Sequence, residues 1–471
     1  MSKPHILMFP HPAQGHLLPL LDLAHQLALR AFTITIIVTP KNLPTIHPLL
    51  SVHPATIQTL LLPLPSHPTL PPGVENVRDL GQMGNTPIIA ALSKLHDPII
   101  HWFKSHPSPP VAIISDFFLG WTLRLSRQLG IPRIGFFSSG AFLTSVTDIC
   151  WKNPEAFRNR KEVEFSDIPG KPSFKQEHLP SMFLGYKESD PDWEIVKEGY
   201  LANMESWGSV FNSFHALEGP YLDYLRTALE HRRRVFAVGP LSLLGPDNRT
   251  GRGNPNQEAN SDVLSWLDGC PDGSVLYVCF GSQKLLKREQ MEALAVGLER
   301  SETRFVWVAK PVTTQQQMEE GYGMVPDGFE DRVKGRGFVV KGWAPQLAIL
   351  SHRAVGGFLS HCGWNSVLEA MVAGVMILGW PMDADQFVNA KLLVEDKGVA
   401  ATVCEGADSV PDPDELGRVI RMSMGVDSPE KERAKQLSRE ALGSVTGEGR
   451  SSKELDDLVE ALIELNVSRV K

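Results

Sequence analysis

Between residues 355 and 370 the chain reads Val-Gly-Gly-Phe-Leu-Ser-His-Cys-Gly-Trp-Asn-Ser-Val-Leu-Glu-Ala, a pattern that predicts a strand, a tight turn and the start of a helix. Such a turn exposes backbone N–H groups at a helix N-terminus, where the macrodipole favours negative charge. His361 adds a hydrogen-bonding ring, and Asn365 and Ser366 can donate from the first helical turn. Glu369, one turn on, suits sugar hydroxyls and would repel phosphate. Taken alone, this turn is equally well a capped helix start, and it is the flanking segments that point to a ligand. Trp343-Ala344-Pro345-Gln346 upstream and the run from Trp380 to Gln386 downstream both follow strand patterns. An aromatic ring to stack on a base, an amide to read it, N–H groups for a pyrophosphate and a carboxylate-plus-amide pair for hydroxyls together describe a nucleotide-sugar.

Transfer from such a donor to a hydroxyl needs a base, and histidine is the side chain best matched to neutral pH. All of the 15 histidines except His352 and His361 lie at or before His231, so number selects none. His16 follows Gly15 after the first predicted strand, at the carboxyl end of a parallel sheet, where α/β proteins place ligands. Asp116 follows the strand pattern Val111 to Ser115 and can hold one imidazole nitrogen, fixing the tautomer and stabilising the imidazolium. Singly, each residue is also compatible with a helix cap or a polar strand end. His11 is the nearest competitor and lacks the Gly-His context. Phe117, Phe118, Trp121 and Phe142 could line an apolar acceptor pocket around the base, although the core claims such rings by default.

The segment from Trp343 to Gln386 resembles the signature box of plant family-1 UDP-dependent glycosyltransferases: W-x-P-Q, H-C-G-W-N-S, E, W-P and a closing D-Q occur in the family's order. Ser261 to Asp268, Ser274 to Gln283 and Phe9 to His16 are similar to the same family, so the likeness spans the chain. It implies an α/β fold of the GT-B type, with two Rossmann-like doubly wound domains facing a central cleft. It further implies that Trp343 stacks on uracil, Gln346 contacts the uridine, and Ser282, His361, Asn365 and Ser366 bind the diphosphate. Glu369 would hold the ribose, and Trp364, Asp385 and Gln386 the sugar, with Ala344 and Gly363 completing the donor-binding set. Ser138, in Gly135-Phe-Phe-Ser-Ser-Gly140, matches a position that reaches the donor sugar or phosphate from the N-terminal side. His16 and Asp116 match the family's catalytic dyad. The box Trp364 with a closing Gln386 goes with UDP-glucose as co-substrate. Met376 stands where the family usually has proline.

The implied reaction is an inverting, metal-independent O-glucosylation of a small hydroxylated aromatic acceptor, a flavonoid or phenolic. Another UDP-sugar (xylose, galactose or rhamnose) or a terpenoid or hormone acceptor is the alternative on the same fold. A non-catalytic nucleotide-sugar-binding protein is the alternative of another class, and it would be expected to have lost His16 or Asp116. A hydrolase with paired carboxylates leaves the diphosphate-shaped turn unexplained. Asp383-Ala384-Asp385 has the D-x-D form used by metal-dependent glycosyltransferases, but so do Asp190-Pro-Asp192 and Asp412-Pro-Asp414 in unrelated contexts.

These residues need a frame that puts several strand ends side by side. Apolar runs at residues 5–9, 33–38, 111–115 and 133–137, and later at 209–211 and 235–238, alternate with helical patterns, the mark of a parallel α/β sheet. Residues 246–261 carry no apolar side chain larger than proline or alanine and read as a linker. Strand patterns resume at 275–280, 305–309, 338–340, 355–359 and 376–378. The expected organisation is an acceptor-binding domain over 1–245, a UDP-sugar-binding domain over 262–452, and a C-terminal helix over 453–471 able to pack on either, the N-terminal domain included.

The 471 residues suffice for two large domains, at 42% hydrophobic and 21% charged. A net charge of −8 argues against nucleic acid as a partner. Five cysteines, scattered and never in C-x-x-C, suit a reducing compartment. With no signal-peptide pattern and no membrane-spanning run, a cytoplasmic monomer is expected.

Overall fold

The computed structural model describes residues 3–80, 84–157, 160–227, 234–245, 259–310, 312, 318–425 and 428–470. The linker expected at 246–261 lies almost wholly outside them. The chain divides into two compact units, Met1–Pro246 with Gly443–Lys471, and Asp247–Leu442.

The first unit is built on strands β1 (His5–Phe9), β2 (Thr33–Val38), β3 (Ile57–Leu61), β4 (Ala112–Asp116), β5 (Arg133–Phe137), β8 (Gly208–Phe211) and β9 (Arg234–Ala237), with a small antiparallel hairpin of β6 (Glu162–Glu164) and β7 (Ser173–Lys175) beside them. The seven-stranded sheet is parallel, in the order β3-β2-β1-β4-β5-β8-β9. Parallel sheets are covered on both faces, which is why their strands read as unbroken apolar runs rather than alternating ones. Ile6, Leu7 and Met8 illustrate this, since all three are fully buried although neighbours point to opposite faces. The order reverses between β1 and β4, and a reversal of this kind opens a crevice at the carboxyl ends of the two strands. β4 runs one residue further than its apolar pattern, so Asp116 closes the strand. β3 is a partly exposed edge strand, which explains its weak apolar signal.

The second unit carries β10 (Val275–Cys279), β11 (Arg304–Ala309), β12 (Gly337–Lys341), β13 (Val355–Ser360), β14 (Met376–Gly379) and the short edge strand β15 (Ala400–Thr402). They form a parallel sheet in the order β12-β11-β10-β13-β14-β15. The reversal here falls between β10 and β13. Both units are therefore Rossmann-like.

The C-terminal helix Arg450–Val470 belongs to the first unit. Leu455, Leu458 and Leu462 are buried in a cluster with Ile6, Leu20 and Leu27. Glu454 receives two 2.8 Å hydrogen bonds from Arg226 and one from the Ala237 backbone. The return to the first unit occurs at Gly443, ahead of the expected break before Lys453. Among the described residues no helix is long and apolar enough to cross a membrane.

Candidate functional site

In the first unit, the helix Gln14–Leu29 starts one short loop after β1, so His16 lies in its first turn, beside the end of β4. His16 Nδ1 stands 2.9 Å from Asp116 Oδ2. The other carboxylate oxygen of Asp116 accepts from the Phe118 backbone N–H at 2.9 Å. Asp116 is fully buried, whereas the His16 side chain keeps 18% of its surface exposed. A carboxylate can only accept, so Nδ1 carries the proton that it donates to Asp116, and Nε2 is the nitrogen left to accept one.

Ser138 Oγ lies 3.1 Å from the same Nδ1. Once that nitrogen is the donor, the serine oxygen is a second acceptor on its proton. The resemblance gave Ser138 to the donor sugar; in the structure its hydroxyl touches the candidate base.

Two residues not anticipated from sequence hold this arrangement. Arg133, buried at the start of β5, donates to Ser115, Thr122 and Ser206 hydroxyls and to the Asp116 carbonyl. Glu218, fully buried, accepts from the backbone N–H groups of Ala141 and Phe142 and from Ser213 Oγ. Its negative charge at the first turn of the helix Ala141–Lys152 suits the dipole there and fixes the Ser138-Ser139-Gly140 turn. A charged residue inside a predicted core was the only signal available in the sequence.

The aromatic candidates divide. Phe117 stacks on His16 at 5.4 Å and Phe118 lies over it at 4.8 Å, so both flank the imidazole. Trp121 does not line an acceptor pocket, because it packs edge-on against Phe9 within the apolar core. Phe142 is buried and stacked on Tyr221 at 4.3 Å. Helix and sheet faces meeting in the core claim both rings. His11 is fully buried 5.1 Å from His16, and burial pushes its pKa down to about 3. It is therefore a neutral ring.

In the second unit, the loops after β10 and β13 meet at the sheet reversal. Gly281, at φ +75, and Gly363 approach the His361 ring so closely that a Cβ on either would lie 2.6 Å from Nε2. Nδ1 of His361 is buried without a partner, and burial pushes the pKa down to about 4. His361 is thus a neutral ring at neutral pH, with Nδ1 unpaired in the structure. Cys362 takes a left-handed φ of 65°, an uncommon conformation for a residue with a Cβ and the kind that functional turns retain. It turns the chain into the helix Trp364–Ala373, capped by Gly363. Asn365 is partly exposed at that helix start, and Ser282 is exposed in the loop after β10. Trp364 is only 3% exposed, so most of its indole packs inside the second unit.

Gln346, Ser366 and Glu369 are brought together. Gln346 Nε2 donates to Ser366 Oγ at 3.0 Å and to Glu369 Oε2 at 2.9 Å, while its oxygen faces the Tyr277 hydroxyl at 3.4 Å. Trp343 is half-buried just before them, and Ala344 is buried. At the far end of the signature segment, Gln386 Oε1 accepts from the backbone N–H groups of Met382 and Asp383 at 2.9 and 3.0 Å. This fixes the amide so that its NH2 end is the one available to a ligand. Asp385 Oδ2 accepts from Asn389 Nδ2 at 2.8 Å, and Asp383 accepts from the Ala384 backbone. Among the described residues no three His, Cys, Asp or Glu side chains converge as a metal site.

The chain compares closely with known proteins. Residues 252–415 match the family described as UDP-glucoronosyl and UDP-glucosyl transferase. UDP-glycosyltransferase 89A2 of Arabidopsis thaliana is 53% identical, over 96% of this chain and 94% of its own length. Flavonol 3-O-glucosyltransferase UGT89B1 of the same plant is 47% identical, over 99% and 98%. The crystal structure of Arabidopsis thaliana UGT89C1 complexed with UDP-L-rhamnose superposes with a TM-score of 0.81 at 37% identity, covering 98% of this chain and 100% of that one. With two Rossmann-like parallel sheets of the GT-B class and relatives of this identity across its whole length, the chain belongs to the plant family-1 UDP-glycosyltransferases and is a glycosyltransferase.

Proposed function

We propose that the protein is an inverting, UDP-glucose-dependent O-glucosyltransferase acting on a small hydroxylated aromatic of the flavonol type. The observation that carries this reading is the His16–Asp116 pair at 2.9 Å, placed at the sheet reversal with Nε2 uncommitted. In the proposed step, Nε2 takes the proton of an acceptor hydroxyl as the oxygen attacks the anomeric carbon. The bond from that carbon to the UDP oxygen breaks, and its electron pair leaves on the diphosphate. A single displacement inverts the centre, so an α-linked donor yields a β-glucoside. The buried Asp116 steadies the imidazolium as it forms.

The diphosphate belongs in this reading to the turn at residues 361–366, held by backbone N–H groups of the Trp364–Ala373 helix start, His361, Asn365 and Ser366, with Ser282 and Gly363 alongside. Trp343 stacks on the uracil beside Ala344 and Gln346, Glu369 takes the ribose, and Asp385 with the NH2 of Gln386 takes the sugar. Hydrogen-bond donors placed before the reaction stabilise the departing charge without reorganising, so no divalent ion is invoked. The Arabidopsis flavonol glucosyltransferase at 47% identity supports the acceptor class. The likeness to a UDP-L-rhamnose complex favours rhamnose as the second reading of the donor. We take the enzyme to be a cytoplasmic monomer.

The test is incubation with UDP-glucose, UDP-rhamnose, UDP-xylose and UDP-galactose against a phenolic panel, read by mass spectrometry and anomeric NMR. UDP-glucose is expected to give the largest kcat/KM and a β-product, unaffected by EDTA. His16→Ala should abolish transfer and still bind UDP. A retained anomer, or full activity of the His16 variant, would overturn the mechanism.

A further inference from the structure

Asn389 lies one turn into the helix Gln386–Lys391 of the second unit and is 2% exposed. Asparagine is a poor residue for a helix interior, and a buried amide must find partners for its hydrogens. Its Nδ2 carries two, and both are donated to the signature segment. One goes to the Cys362 carbonyl at 2.9 Å and the other to Asp385 Oδ2 at 2.8 Å. Asp385 stands at the N-cap of the same helix and makes no capping bond with its own side chain, although capping is the usual use of an aspartate there. A single NH2 group thus joins the turn after β13 to the carboxylate proposed for the sugar.

The Cys362 carbonyl belongs to the peptide whose N–H is that of Gly363. This peptide is trans, so its C=O and N–H point in opposite directions, and a carbonyl drawn to Asn389 turns the Gly363 N–H away from it. Gly363 is partly exposed, and among the described residues nothing accepts from its N–H. The left-handed φ of 65° at Cys362 is a conformation kept only where the surroundings over-determine it. They do so from both sides of the residue: Ser360 Oγ accepts from the Cys362 N–H at 3.1 Å, and Asn389 holds the carbonyl.

We propose that Asn389 is a positioning residue for the donor: it aims the Gly363 N–H at the diphosphate and fixes Asp385 relative to that turn, so that diphosphate and sugar are held in one register. This inference rests on the donor site proposed above. Cys362-Gly363 is the only Cys-Gly pair in the chain, so cysteine labelled with carbon-13 at the carbonyl and glycine labelled with nitrogen-15 give one NMR signal for this peptide. In the wild type, UDP should move its amide proton downfield and slow its exchange, whereas uridine, which lacks the phosphates, should do neither. This arm needs no variant and so does not depend on one folding. In Asn389→Ala the carbonyl carbon should shift upfield as its hydrogen bond is lost. The UDP Kd should rise about fivefold or more, the scale of a misaimed hydrogen bond to a charged group, and the uridine Kd should stay within about twofold. The Kd for UDP-glucose should rise by more than that for UDP, because Asp385 is released as well. A merely structural role would weaken all three ligands alike, and that result would overturn the proposal. So would a variant that binds UDP as the wild type does, or a wild type that binds UDP with its Gly363 amide unmoved; both leave the donor reading standing. A wild type that binds no UDP refutes the donor reading and this inference with it.

Discussion

Replacing Asp116 by asparagine tests the acid–base reading with almost no change of shape. The native carboxylate has two fixed partners, the Phe118 backbone N–H on Oδ1 and His16 Nδ1 on Oδ2, each at 2.9 Å. The Phe118 N–H can only donate, so it selects the amide oxygen of asparagine and turns the NH2 toward His16. Nδ1 must then accept a proton rather than hold one, and Ser138 Oγ, at 3.1 Å, can donate to it as well. Both neighbours thus favour the tautomer with hydrogen on Nε2, the nitrogen that has to take the acceptor's proton. Positioned general bases contribute about 10²- to 10⁴-fold; at 1.36 kcal/mol per tenfold, a wrong tautomer costs about 3–5 kcal/mol of transition-state stabilisation. We expect kcat for Asp116→Asn to fall by a factor in that range, with calorimetric UDP affinity unchanged because the turn proposed to hold the diphosphate belongs to the other unit. Nitrogen-15 NMR of labelled histidine should show the Nδ1–H signal of His16 replaced by an Nε2–H signal. A variant within about threefold of wild-type kcat, or one that keeps the native tautomer, would refute the reasoning.

Two further outcomes concern stability. His11 and His361 are neutral in the folded protein, with pKa values pushed by burial to about 3 and about 4 from an ordinary 6.5. Below pH 6.5 the unfolded chain takes up protons that the folded chain refuses, so stability should fall as pH drops, by up to about 1.4 kcal/mol per pH unit for each residue. Urea unfolding at pH 7, 6 and 5 measures this, one histidine reporting on each unit, and His11→Phe should flatten the loss in the first unit; an unchanged slope would remove His11 as its cause. Truncation before Arg450 removes Leu455, Leu458 and Leu462 from the core. At about 1.5–3 kcal/mol for each buried leucine, the loss of about 5–9 kcal/mol rivals the whole stability of a domain. The truncated chain should lose the cooperative unfolding transition of its first unit by circular dichroism, and a native-like melt would contradict the packing.

Much of the frame was legible because a parallel sheet writes itself into sequence as unbroken apolar runs. β1, β2 and β5 fall where their runs predict, and the other main strands within a residue or so. β3 and β15 were not legible, since edge strands are half exposed or short and lose that pattern. The proposed base and its carboxylate could be named because His16 opens the helix that follows β1 and Asp116 closes β4. The partners of Gln346 could not, because hydrogen bonds among Gln346, Ser366 and Glu369 join two helices separated by β13 and its turn.

By itself the sequence determined the two α/β units, the diphosphate-shaped turn and the family, all of which depend on local pattern and the order of motifs along the chain. Tertiary structure alone decided which side chains of a cluster face a ligand and which face the core. It sent Trp121, Phe142 and Trp364 inward, turned Ser138 onto the imidazole, and returned the last helix to the first unit. Burial and hydrogen-bond partnership are set by which elements pack together, and an aromatic or a serine has the same one-letter code on either side of a helix.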